Sequence, residues 1–169
     1  MFYPCLESLK KEKFPEYTIQ KFDGWLGTRR SNSRGSLNPL QFSLDCEISI
    51  EYTLKLFSYC TFSNEIQLFK RKYVLYCPFC GHKVATEREN IQSEYQCINC
   101  NGHISANIVK NELELIFELT KDPSFIDEDY SSDQCEVSEA PKKAPGLRIG
   151  EISNYEDENI RRLSIYSLL

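Results

Sequence analysis

The chain has 169 residues, 41% of them hydrophobic and 27% charged, which suits one compact domain or one domain with a tail and argues against a two-lobed enzyme. Two His exclude chemistry built on several imidazoles, and a formal net charge of -5 argues against a surface that grips a nucleic-acid backbone all round. A local basic face stays open, because residues 1–83 carry 12 Lys and Arg against 8 Asp and Glu, residues 84–122 carry 3 against 7, and residues 123–169 carry 5 against 10.

Met1-Phe2-Tyr3-Pro4-Cys5-Leu6-Glu7 lacks the basic and apolar regions of a signal peptide, and there is no run of about 18 apolar residues. The expectation is a soluble, cytoplasmic protein with no membrane partner, whose thiols stay reduced and available to a metal. Leu6, Leu9 and Phe14, set among Lys10, Lys11, Glu12 and Lys13, predict a short amphipathic helix stopped near Pro15. From Asp23 to Pro39 the chain is dense in Gly, Ser and Asn and reads as a surface loop. Within it, Arg29, Arg30 and Arg34 offer guanidinium forks to a phosphate, and Trp25 stands near enough in sequence to stack on a base.

Ser49 is placed to cap a helix on which Ile48, Tyr52, Leu56, Tyr59 and Cys60 recur at helical spacing, with Leu54 and Phe57 widening the apolar stripe. That helix ends at Thr61-Phe62-Ser63-Asn64, where short polar side chains compete for backbone hydrogen bonds. Two strands are predicted next, Glu65 to Phe69 and Tyr73 to Cys77, forming a hairpin with Lys70, Arg71 and Lys72 at its tip as a second positive spot.

Cys77-Pro78-Phe79-Cys80-Gly81 is answered sixteen residues later by Cys97-Ile98-Asn99-Cys100-Asn101-Gly102. Two C-x2-C units at this separation read as a four-thiolate zinc site. A two-residue gap lets a tight turn bring both sulfurs to one side, and Gly81 and Asn101 fall where such a turn needs positive φ. Two disulfides, a redox C-x-x-C and an iron–sulfur cluster would use the same residues. The absent secretory signal, the pairing of the units and the spacing each favour structural Zn²⁺ over them. Four protein ligands leave no open position, so this ion should not activate water. Lys83, Arg88 and backbone N–H groups are candidates to offset the negative charge of the centre, with Lys83 the nearer in sequence. His82 and His103 follow the two knuckles and read as surface or supporting groups. Cys46 and Cys60 read as small apolar core residues, and Cys5 and Cys135 as incidental.

Leu113, Leu115, Phe117 and Leu119 alternate with Glu112, Glu114 and Glu118 and predict a strand with one wet face. Residues 122–145 have the composition of an acidic linker, and the apolar residues that return at Ile149, Ile152, Ile160, Leu163, Ile165, Leu168 and Leu169 predict a docking arm. No phosphate-binding, metalloprotease or nucleophile-elbow motif is present, and the acidic clusters at 127–129 and 156–158 lie in loop-like stretches, so no enzyme is expected.

A helix, a basic-tipped hairpin, YVLYCPFCGHK, QCINCNGH and the strand LELIFEL together resemble, over residues 46–120, the accessory proteins of bacterial conflict and anti-phage systems. The layout also resembles general transcription initiation factors that pair a winged helix with a four-cysteine ribbon. The first resemblance implies an α+β fold, a winged-helix-like unit fused to a zinc ribbon, with a largely irregular acidic linker and arm. It further implies a non-enzymatic adaptor, with an ATPase or nuclease among its expected protein partners. The second implies DNA or RNA contact, for which Arg29, Arg30, Arg34, Lys70, Arg71 and Lys72 are the candidates. The expected organisation is an N-terminal segment with the basic loop (1–45), the hairpin and ribbon (46–120), the linker (121–147) and a partner-docking arm (148–169).

Overall fold

The computed structural model describes residues 1–88, 91–124 and 143–164. Among them the fold is α+β: helices α1 (Glu16–Gly27), α2 (Pro39–Cys46) and α3 (Ile50–Phe62) lead into an antiparallel sheet. The strands are β1 (Phe69–Tyr76), β2 (Lys83–Glu87), β3 (Tyr95–Gln96), β4 (His103–Ile104), β5 (Glu114–Leu119) and β6 (Leu147–Arg148). The larger sheet has the order β2-β1-β5-β6, and β3 pairs with β4 alone. Leu37, between α1 and α2, bridges Phe117 of β5 through both backbone hydrogen bonds. Short helices α4 (Ala106–Glu112), α5 (Ile149–Ile152) and α6 (Glu158–Arg161) complete the described chain, and no described helix is long and apolar enough to cross a membrane.

Local chemistry explains the ends of these elements. Ser49 caps α3 as expected, its side chain accepting from the Tyr52 N–H, and the helix runs to Phe62. Asn38 caps α2 in the same way, with Pro39 fixing the first helical φ. The predicted N-terminal helix exists as a 3-10 helix over Pro4–Glu12 that buries Leu6 and Leu9 completely. It is tied to α1 by the buried Asp23 carboxylate, which accepts the Phe2 and Tyr3 N–H groups at 2.7 Å each. Phe57 of α3 stands at the centre of the core, stacked on Phe69 at 5.0 Å and within 5.3 Å of Phe22 and 4.9 Å of Phe117. Cys46 and Cys60 are buried in this core, as expected of small apolar side chains.

Two expectations are overturned. The predicted loop from Asp23 begins inside α1, and Trp25 is 2% exposed, its indole N–H donating to Asp45, so it is not available to stack on a base. The predicted hairpin 65–69/73–77 does not form: Lys70, Arg71 and Lys72 lie inside β1, paired to Glu118, Phe117 and Ile116 of β5. The strand runs through them because Arg71 and Lys72 find partners without breaking the ladder, while Lys70 stays in solvent. Lys72 Nζ sits 3.1 Å from Glu118, and Arg71 lies over the Phe62 ring and donates to the Arg162 carbonyl. The turn that closes β1 onto β2 is the first cysteine knuckle.

The strand at Glu114–Leu119 forms as read, with Leu113, Leu115 and Phe117 buried. Of the linker, residues 125–142 lie outside the described residues, as do Cys135, Ile165, Leu168 and Leu169. The described part of the arm packs on its own chain. Ile149, Ile152, Ile160 and Leu163 are fully buried, the Ser58 hydroxyl of α3 donates to the Asn159 carbonyl, and the Tyr73 hydroxyl donates to the Leu163 carbonyl at 3.1 Å.

Candidate metal centre

The two knuckles have the same backbone construction. Gly81 N–H returns to the Cys77 carbonyl and Asn101 N–H to the Cys97 carbonyl, each at 2.8 Å. Cys77 N–H takes the His82 carbonyl at 2.8 Å and Cys97 N–H the Gly102 carbonyl at 2.9 Å. Gly81 has φ of 70° and Asn101 of 57°, so both occupy the left-handed region that their residue types tolerate. At Gly102 a Cβ would stand 2.6 Å from the Phe79 ring and 3.2 Å from the Cys100 sulfur, so a side chain there would displace the exposed Phe79 ring and crowd the cysteine.

This construction brings Cys77, Cys80, Cys97 and Cys100 together, their sulfurs all within 4.8 Å of one another. The Cys77–Cys100 and Cys80–Cys97 sulfurs are 3.6 Å apart. Metal–sulfur bonds of about 2.3 Å arranged as a tetrahedron have sulfur edges of about 3.8 Å, close to the two 3.6 Å pairs, so the cluster is compatible with one metal ion. Electrostatics point the same way. Hydrogen bonds from the Asn99 side chain and the His82 N–H hold the Cys80 thiol down to about 6. The Gly102 N–H favours the Cys100 thiolate, but desolvation and the three neighbouring cysteines outweigh it and push that thiol up to about 12. Four adjacent sulfurs cannot all ionise by themselves, and a cation at their centre removes the conflict.

His82 and His103 lie outside the sulfur cluster; both are exposed, and His103 Nε2 faces Glu94 at 3.4 Å. Arg88 is committed to Glu118 at 2.7 Å, and Lys83 is exposed, so backbone N–H groups and Asn99 do the compensating. Asn99 was missed in the sequence because an amide between two cysteines carries no signal of its direction.

The six basic candidates are only partly gathered. Lys72 Nζ reaches the Gly35 carbonyl at 3.4 Å, which sets the arginine loop beside β1. Half of the charge is already answered by carboxylates, however: Arg29 stacks on Trp25 and pairs with Asp45 at 3.0 Å, Arg34 pairs with Asp122 at 3.3 Å, and Lys72 pairs with Glu118. Arg30 and Lys70 are exposed. No family model, no curated protein and no solved structure matches this chain.

Proposed function

We propose that the chain is a non-enzymatic zinc-ribbon adaptor, in which one Zn²⁺ held by Cys77, Cys80, Cys97 and Cys100 fixes a surface for contacts with protein partners. The observation that carries this reading is the closed set of four sulfurs, which leaves a tetrahedral ion no position for substrate or water. The ribbon holds apolar side chains in solvent, with Phe79 62% and Ile98 85% exposed at the two knuckle tips. The helical part supports a winged-helix origin. The order α1, bridging Leu37, α2, α3, β1, β5 is compatible with a winged helix in which β1 and β5 would be the wing strands and the ribbon an insertion between them. The resemblance in layout to accessory proteins of conflict systems makes an ATPase or nuclease of an anti-phage assembly the first partner to look for.

Affinity purification of the tagged full chain from its native cells tests the reading. A partner in fixed ratio, lost with Phe79→Asp and Ile98→Asp while metal content stays at one per chain, is expected. The absence of any stoichiometric partner overturns it. The second reading, nucleic-acid binding, draws on the contact between Lys72 and the arginine loop. It predicts a gel shift that weakens as salt rises and disappears when Arg30 and Lys70 become Glu.

A further inference from the structure

A cleft of about 650 Å³ lies between the two sheets of the ribbon. One wall is residues 84–87 of β2 and the other includes Tyr95 and Gln96 of β3. Successive side chains of a strand point to opposite faces. A cleft that touches four residues in a row therefore runs along the edge of the strand and not across one face. β2 is the outer strand of the larger sheet, so its wall is a strand edge without a neighbour among the described residues, and the facing wall is the small β3–β4 pair, where Gln96 lies opposite His103. β2, five residues long, presents an edge of about 16 Å. Open edges of this kind are templates for pairing with an extended chain.

We propose that this cleft is a β-addition site, taking a lysine- or arginine-bearing extended segment of a partner protein as an added strand between β2 and β3. Charge selects that occupant. Glu87 and Glu94 line the cleft, and among the described residues His103 is its only other ionisable side chain apart from the Tyr95 phenol, with no Lys or Arg lining it. A second copy joined edge to edge would bring four carboxylates together. The chain's own linker, with seven Asp and Glu from Asp122 to Glu139 against Lys121, Lys142 and Lys143, carries the wrong sign. Backbone pairing gives affinity that does not depend on sequence, and the two carboxylates give preference for a basic strand.

This deepens the adaptor reading by stating the chemistry of one partner segment, and the test separates the two. Three fluorescein-labelled decapeptides are titrated into the metal-loaded full chain and followed by anisotropy. The first alternates Val or Thr with Lys, the second replaces Lys by Glu, and the third keeps the lysines but carries Pro at alternate positions, so that charge is retained and strand pairing is blocked. The first peptide is expected to bind at least about tenfold more tightly than the others, and Glu87→Lys with Glu94→Lys to remove that advantage while the thermal melt stays unchanged. Equal binding of the proline peptide, binding unchanged in the double variant, no binding of any peptide, or a wild-type dimer that the double variant dissociates each overturns the proposal. A stoichiometric partner that still co-purifies with the double variant, when no peptide binds, leaves the adaptor reading in place without this cleft.

Discussion

The helical core and the ribbon solve the same problem with different means. Around α3, Phe22, Phe57, Phe69 and Phe117 are each at most 3% exposed and touch ring to ring, so apolar burial organises that half. Between Cys77 and Ile104 the buried side chains are few, chiefly Cys77, Cys97 and Ile104, while Phe79 and Ile98 face solvent. A segment of that size cannot be held by its own core, and a metal bound by the four clustered sulfurs would supply the missing cohesion. The two halves share β1, which enters the core at Phe69 and leaves into the first knuckle at Cys77. Cohesion in one half should therefore be removable without abolishing the other.

The largest effect that would break this division is metal removal. Structural Zn²⁺ sites contribute about 10–16 kcal/mol to folding of the segment they organise. Chelation, or Cys97→Ser, should abolish amide protection across residues 77–104 and reduce bound metal from one per chain to none, while α3 keeps its protection and most helical circular dichroism survives. Simultaneous collapse of both halves would show that the ribbon and core are one cooperative unit. Phe57→Ala makes the reciprocal cut. It removes a fully buried ring at a cost of about 3–5 kcal/mol and should lower the melting temperature by about 10 °C, with the metal still bound up to the transition.

The same division governs what the sequence discloses. Ligand spacing is a local property, so the four cysteines and the left-handed turns at Gly81 and Asn101 could be read directly. α3 and β5 were legible because their periodicity and the Ser49 cap are contained within a few turns or residues. α1 was obscured by Gly24, Gly27 and Asp23 inside it, residues that mark loops unless tertiary contacts override them, as the Asp23 clamp on Phe2 and Tyr3 does here. Lys70, Arg71 and Lys72 looked like a solvated tip because the groups that accept their charge, Glu118 and the Arg162 carbonyl, are 46 and 91 residues away from Lys72 and Arg71. Paired cations mimic a nucleic-acid face in sequence and lose that appearance only when their carboxylates are placed beside them.

The smallest effect concerns the seam where the arm meets the core. Asp157 caps α6 by accepting the Asn159 and Ile160 N–H groups, and its other oxygen pairs with Lys55 of α3 at 3.2 Å. Burial pushes this carboxyl up, but Lys55 and the two N–H groups outweigh it and hold it below its ordinary value. A carboxylate whose folded value is depressed contributes stability that is present above the unfolded value, about 3.9, and is lost as pH falls through the folded one. The protection of α6 amides relative to their intrinsic exchange rates should therefore fall below about pH 4 while the Phe57 cluster remains protected. Asp157→Ala should cost about 1 kcal/mol at neutral pH, most of it from the lost cap because the ion pair is partly solvated, and should remove that acid-dependent step. An acid step of unchanged size in the variant would place the sensitive group elsewhere and leave the arm fixed to the core by its apolar residues and the hydrogen bonds from Ser58, Arg71 and Tyr73.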